Sequence, residues 1–292
     1  MMKFKLPARK PFNFRSVVDS HGWRQLAPFR FDESSSILFY TDRLASGRVV
    51  DYHISGSADG LNIASEKLTK AENREAADKL HWMFGLDMDF SDFHLASRLE
   101  PKLRRAKKQA LGRVLRSPTL FEDVIKTILT TNTLWAATRN MTKKLVEEFG
   151  SPLNSVGQAV ETGTHVDKYT GNQNSQYIIR NSRAFPTPEA IAASNPDTLK
   201  EKIRVGYRAP AIHDLAVRVA SGRYDLEALK FSSLPTIELR KELMTIRGVG
   251  PYAAANLLII LGRHDFIPID SYALMMVSHE WYRGKPVTAK QV

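Results

Sequence analysis

Residues 236–272 read TIELRKELMTIRGVGPYAAANLLIILGRHDFIPIDSY. In the opening part, Ile237, Leu239, Leu243, Met244 and Ile246 can share one broad face of a helix. Gly248-Val249-Gly250 then breaks the period. Two glycines one residue apart let the backbone take positive φ and bare its N–H groups with no Cβ in the way. Pro251 suits the first position of a new helix, where its missing N–H would be unpaired anyway. Ala253, Ala254 and Ala255 allow that helix to pack closely on its partner, and residues 257–261 carry it into a core. Beyond it, Phe266-Ile267-Pro268-Ile269 is an apolar extended turn that delivers Asp270 to the start of a third helix, Ser271–Trp281.

The hairpin has two readings. Bared N–H groups at a helix N-terminus, backed by the helix dipole, hold a phosphate without reading any base. A plain helix–helix turn would use the same glycines for chain reversal alone. The aspartate-bearing turn that follows favours the first reading.

Hairpin, Gly-x-Gly, helix and Pro268-Ile269-Asp270 together resemble the signature of the helix-hairpin-helix (HhH-GPD) DNA glycosylase superfamily. Within it the chain is similar to 8-oxoguanine and 3-methyladenine DNA glycosylase II-type enzymes. The resemblance implies a mainly α fold with a small N-terminal antiparallel β-layer, double-stranded DNA as partner, and Asp270 in the place of the essential aspartate.

The whole chain is compatible with this. Its 292 residues allow one large domain or two smaller ones, and 43% hydrophobic residues suffice for a core. Lys and Arg outnumber Asp and Glu by 42 to 31, a net charge of +11, which favours an anionic partner, nucleic acid before membrane. There is no cysteine, so disulfides, thiol nucleophiles, zinc ribbons and a cysteine-ligated iron–sulfur cluster are excluded. The start lacks a long apolar segment and no run approaches a membrane span, so an intracellular, cytoplasmic or nuclear protein without a secretion signal is expected.

Residues 1–66 read as the β-rich layer, with alternation at 36–41 and 48–54 and turns at 45–47 and 56–60. His21, in a turn-rich segment, reads as packing. Residues 67–292 read as the helical glycosylase domain. Helices are expected at 69–84, opened by a Thr69/Glu72 capping box, and at 90–99, 119–131 and 135–149. The polar stretch 151–184, with apolar islands at 156–160 and 177–179, reads as a long loop or insertion. Helices resume at 188–194, 196–203, 210–221 and 225–230. Arg104, Arg105, Lys107 and Lys108 form a basic cluster that reads as a solvated helix face. Relatives usually continue past the helix bearing the aspartate, so a C-terminal truncation at Val292 is expected.

Two further segments carry the resemblance. Asn132 falls where 8-oxoguanine DNA glycosylases present an amide side chain to the minor groove; an ordinary helix cap is the other reading. Gly206-Tyr207-Arg208-Ala209 is similar to the segment whose tyrosine wedges between bases and whose arginine reaches the unpaired partner. A ring inserted at the gap restores part of the stacking that flipping a nucleotide costs; Tyr207 as a core ring is the alternative. Five residues past Asn132 those relatives have a second arginine that helps read an orphan cytosine. This chain has Ala137, which puts strict preference for cytosine in doubt.

The largest departure lies at the hairpin. Bifunctional members place a lysine two residues after the second glycine, where its amine forms a Schiff base with the sugar. Tyr252 stands there, and tyrosine cannot form an imine. The expected activity is therefore monofunctional: hydrolysis of the N-glycosidic bond of an oxidised or alkylated purine, without β-lyase action. Asp270, favoured as its anion at a helix start, would stabilise the oxocarbenium-like sugar. It also suits an N-cap, and the two roles are compatible. Tyr252, Trp135 and Met275 are candidates to line the base pocket. The backbone carbonyls of Met244, Ile246 and Val249 match those that hold a monovalent cation (Na⁺ or K⁺) in relatives; no other cofactor is expected. His264, Asp265 and Asp270 suit no recognised metal-ligand spacing. The alternative to a monomeric base excision repair enzyme is a non-catalytic helix-hairpin-helix DNA-binding protein.

Overall fold

The computed structural model describes residues 1–153 and 182–292. The polar stretch expected as an insertion therefore lies outside the described residues, apart from its two ends. Those ends meet: Pro152 and Arg183 form an antiparallel bridge, and Leu153 N donates to Ser182 O at 2.9 Å. The chain divides into two compact units, Met1–Pro118 with Arg139–Ala190, and Thr119–Thr138 with Ile191–Val292. The change of texture near residue 66 falls inside the first unit, so the sheet and the helices that follow it belong to one body.

In the first unit, β1 (Met2–Pro7), β2 (Phe29–Asp32), β3 (Ile37–Arg43), β4 (Val49–Gly56) and β5 (Gly60–Ser65) form one antiparallel sheet in the order β1-β5-β4-β3-β2. The two alternating runs seen in the sequence are its central pair, β3 and β4. Leu38, Tyr40, Val50, Tyr52, Ile54, Leu61 and Ile63 alternate along their strands and are buried. Edge strand β1 exposes Lys3 and Lys5 while burying Leu6, a charged pattern that discourages further pairing. Helix α1 (Phe14–Val18) packs at β4, where Gly56 leaves room: a Cβ there would come within 2.7 Å of Phe14 Cβ.

Helix α2 (Lys70–Phe84) has the expected capping box, Thr69 Oγ1 accepting from Glu72 N at 3.2 Å and Glu72 Oε2 from Thr69 N at 2.9 Å. The helix expected at 90–99 is shorter, α3 (Ser91–Ala96) followed by a 3₁₀ turn at Ser97–Leu99. The four basic residues flank or lie on α4 (Ala106–Gln109) and are exposed. His21 packs, its Nε2 2.5 Å from Leu115 O and its ring 4.4 Å from that of Trp23.

The second unit opens with α5 (Leu120–Thr130) and the start of α6 (Trp135–Phe149). After α7 (Pro188–Ala192), a short turn at Pro196–Thr198 runs into a π-helical turn at Leu199–Ile203, where a regular helix was expected. Then come a 3₁₀ turn at Gly206–Arg208, α8 (Ala209–Ala220), a second 3₁₀ turn at Glu227–Phe231, α9 (Thr236–Met244), α10 (Pro251–Ile260) and α11 (Ser271–Trp281). Among the described residues no helix is long and apolar enough to cross a membrane.

Candidate active site

Helix α5 organises the site because it is buried along its length, Leu120 to Leu129. A buried helix start must satisfy its own N–H groups. Thr119 Oγ1 accepts from Glu122 N at 3.2 Å, and the Glu227 carboxylate accepts from Leu120 N at 3.1 Å and Phe121 N at 3.0 Å. A carboxylate at that end also complements the helix dipole. The opposite end of α5 leads into Asn132, whose φ of 45° is left-handed, a conformation asparagine tolerates better than most residues.

Helices α9 and α10 flank the glycine turn as the sequence period implies, but the two glycines do different work. Gly248 has φ 87°, and a Cβ on it would stand 3.1 Å from Ala211 Cβ and 3.6 Å from Ile128 Cγ2. Its bare Cα thus lets the turn approach α8 and α5 together. Gly250 differs from expectation. Its φ is −89°, and a Cβ there would meet nothing within 4 Å. The fold does not demand glycine at 250; the open space beside it suits an outside group drawing close to the backbone. Pro251 opens α10 as expected, and Ala253, Ala254 and Ala255 are buried where α10 packs on α9 and α5.

Asp270 is the N-cap of α11, with Oδ1 accepting from Ala273 N at 2.8 Å. Its other oxygen, Oδ2, accepts from Tyr252 Oη at 3.2 Å. Both residues are half-buried. Burial, reinforced by the Asp270 charge, raises the Tyr252 phenol above its ordinary value. Tyr252 is therefore a protonated donor at neutral pH, and the carboxylate is held from two sides.

Asn132, Tyr207 and Arg208 form a second cluster. Asn132 Nδ2 donates to Tyr207 Oη at 3.3 Å, and the Arg208 guanidinium lies 4.6 Å from the centroid of the Tyr207 ring. Tyr207 is 66% exposed, so it is not a core ring. Hydrogen bonds from Thr131 and Asn132, with the Arg208 charge, hold its phenol below the usual value. Asn132 is not the cap of α6, whose first main-chain bonds are accepted by Leu134 O from Ala137 and Thr138. Arg208 is turned inward onto main-chain carbonyls.

The other candidate positions are more dispersed. Trp135 opens α6 half-buried, and Met275 is 52% exposed on α11. The Ile246 carbonyl accepts from Val249 N at 3.0 Å, closing the turn that also carries the Met244 and Val249 carbonyls. Neutral oxygens of this kind fit a singly charged ion. Among the described residues no group of three or more His, Asp or Glu is placed to hold a metal, and Asp265 Oδ2 accepts from Thr236 Oγ1 at 2.7 Å. Two residues passed over in the sequence reading stand out. Leu134, two positions past Asn132, is 80% exposed, and Arg247, immediately before the glycines, is exposed too. Only the arginine's adjacency to the turn was a signal in the sequence; the exposure of the leucine follows from tertiary packing.

Comparison with known proteins bears on this geometry. The family model for HhH-GPD superfamily base excision DNA repair proteins matches residues 125–292. A structure of MBOgg1 in complex with a low-affinity DNA ligand is similar at TM-score 0.68 and 25% identity, over 96% of this chain and 83% of that one. The 3-methyladenine DNA glycosylase from Archaeoglobus fulgidus has TM-score 0.70 and 22% identity, over 100% of this chain and 90% of its own. The apo 8-oxoguanine glycosylase/lyase from Clostridium acetobutylicum has TM-score 0.66 and 19% identity, covering 96% and 85%. No curated protein matches the sequence.

Proposed function

We propose that this chain, which belongs to the HhH-GPD superfamily of base excision DNA repair proteins, is a monofunctional DNA glycosylase that hydrolyses the N-glycosidic bond of a damaged purine. The observation that carries the reading is the Asp270 carboxylate, pinned by Ala273 N and by a tyrosine phenol where bifunctional relatives have an amine. In the reaction the C1′–N9 bond breaks and the purine leaves with the bonding electrons, taking up a proton where it was neutral, as an oxidised purine is, and none where alkylation had already made it a cation. Water adds at C1′ and gives up a proton. Asp270 offsets the positive charge that builds on the sugar and orients the water, as a fixed anion can do at no reorganisation cost. Tyr252 has no nitrogen with which to replace the base covalently, so the product is an intact abasic site.

The remaining parts fall to binding. With Val249 N given to Ile246 O, the N–H groups of Gly248 and Gly250 grip a backbone phosphate, and Arg247 adds charge. The Met244, Ile246 and Val249 carbonyls hold a monovalent cation beside it. Tyr207 and Asn132 enter the duplex where the nucleotide has swung out, and exposed Leu134 is a further apolar contact. Trp135 and Met275, with Tyr252, line the base pocket. One chain supplies each of these parts, so the acting species is a monomer on duplex DNA. Neighbouring structures that act on 8-oxoguanine and 3-methyladenine make these the first lesions to try.

The test is release of free base from duplexes bearing either lesion, by wild type and by Asp270→Asn under single-turnover conditions. Asparagine keeps the helix cap but not the charge. A rate loss on the order of a hundredfold to a thousandfold, with binding retained, is expected. Binding by both proteins with no abasic product from a lesion panel would instead make the chain a DNA-binding protein without turnover.

A further inference from the structure

Arg208 adjoins the exposed Tyr207 yet is only 7% exposed itself. Its Nη2 donates to Thr131 O and reaches Asn132 O at 3.4 Å; Nη1 reaches Val205 O at 3.3 Å. Nε is buried with no hydrogen-bond partner. A guanidinium reads a base by offering two parallel N–H donors to the base edge. Here that fork faces main-chain acceptors contributed by two separate segments, the Thr131-Asn132 turn and the Val205 turn.

We infer that Arg208 is a positioning residue that latches the Asn132 turn to the Tyr207 wedge, and that insertion is consequently indifferent to the base left opposite the lesion. The assignment of Tyr207 as a wedge rests on the glycosylase reading above. Three contacts close a circuit. The guanidinium holds the Thr131 and Asn132 carbonyls, the Asn132 amide donates to the Tyr207 oxygen, and the Tyr207 ring lies against the guanidinium. The left-handed φ of Asn132 turns two consecutive carbonyls towards one cation. Holding the wedge and the amide together before DNA arrives removes ordering that would otherwise be lost on insertion. Releasing Arg208 to meet a base would cost the part-buried contacts to the Thr131 and Asn132 carbonyls. Ala137, an exposed methyl, offers no second guanidinium in its stead.

The test uses the full chain and duplexes carrying a tetrahydrofuran abasic-site analogue opposite A, C, G or T in turn. Affinities are measured for wild type, Arg208→Lys, Arg208→Ala, Tyr207→Ala and the double variant Tyr207→Ala/Arg208→Ala. For a latch, wild-type affinities agree across the four bases within about twofold, and Arg208→Ala weakens all four by one common factor of about tenfold. The losses from Arg208→Ala and Tyr207→Ala do not add, because an unlatched wedge is already ineffective. Arg208→Lys keeps the charge and separates loss of the latch from loss of the fold, while the ratio between opposite bases is independent of the folded fraction. Loss concentrated at one opposite base, in either Arg208 variant, overturns the inference and makes Arg208 a reader; additive losses also overturn it. Binding to the abasic analogue needs no turnover. A chain that binds all four duplexes alike but never releases a base sinks the glycosylase reading alone, and one that releases base but loses affinity opposite a single base sinks the latch alone.

Discussion

Tyr252 Oη donates to Asp270 Oδ2 across 3.2 Å, from the position where the family resemblance implies a lysine in bifunctional members. The phenol thus takes the one carboxylate oxygen that the α11 cap leaves over. This pairing makes the position a support for the anion.

Removing the hydroxyl with Tyr252→Phe keeps the ring and leaves Oδ2 without its donor. The carboxylate is then held from one side only, by Ala273 N. Base release is expected to slow about twofold to tenfold, with affinity for the lesion duplex kept. Single-turnover rates beside a DNA titration check this, and an unchanged rate would show that the pair is incidental to catalysis.

Tyr252→Lys restores an amine at the hairpin. That amine can attack C1′ and form an imine, which borohydride reduces to a stable protein–DNA adduct. The variant is expected to be trapped on lesion-bearing duplex, whereas wild type is not. Efficient trapping of wild type would mean that another amine supplies the nucleophile.

The two hairpin glycines separate fold from binding. Gly248→Ala forces a side chain into positive φ and against Ala211, and is expected to destabilise the protein by about 1–3 kcal/mol. Gly250→Ala meets no protein atom, so its melting temperature stays near that of wild type while affinity for duplex DNA falls. Thermal unfolding beside DNA titration checks both. A stable Gly250→Ala protein with undiminished affinity would remove the turn from the DNA contact.

Glu227→Ala strips the anion from the start of buried α5. The Leu120 and Phe121 N–H groups lose their acceptor, and a stability loss of about 1–3 kcal/mol is expected. Because Glu227 caps the end of α5 away from Asn132, relative affinities across opposite bases stay unchanged. Chemical denaturation measures the first effect, and the four-duplex titration above the second.

What the linear chain determined was local. The helix period around residues 236–272, the break at the glycines, Pro251 at a helix start, Asp270 at another and the Thr69/Glu72 box each depend on residues within a turn or two of one another. Such features survive into the structure because neighbours along the chain are neighbours in space. Strands β3 and β4 were legible for the same reason, since alternation marks a strand with one buried face; β1 and β2 were not singled out, β1 being defined by pairing with the distant β5 and β2, a short strand, by its hairpin with β3. Tertiary packing alone decided the rest. It distinguished Gly248, pressed on Ala211 and Ile128, from Gly250, which faces open space. It brought Tyr252 to Asp270 across 18 positions, and Arg208 to the Thr131 carbonyl across 77. No period or spacing encodes the direction of a long side chain. The guanidinium, itself buried, needs acceptors, and the Thr131, Asn132 and Val205 carbonyls that supply them come together only once the chain has folded.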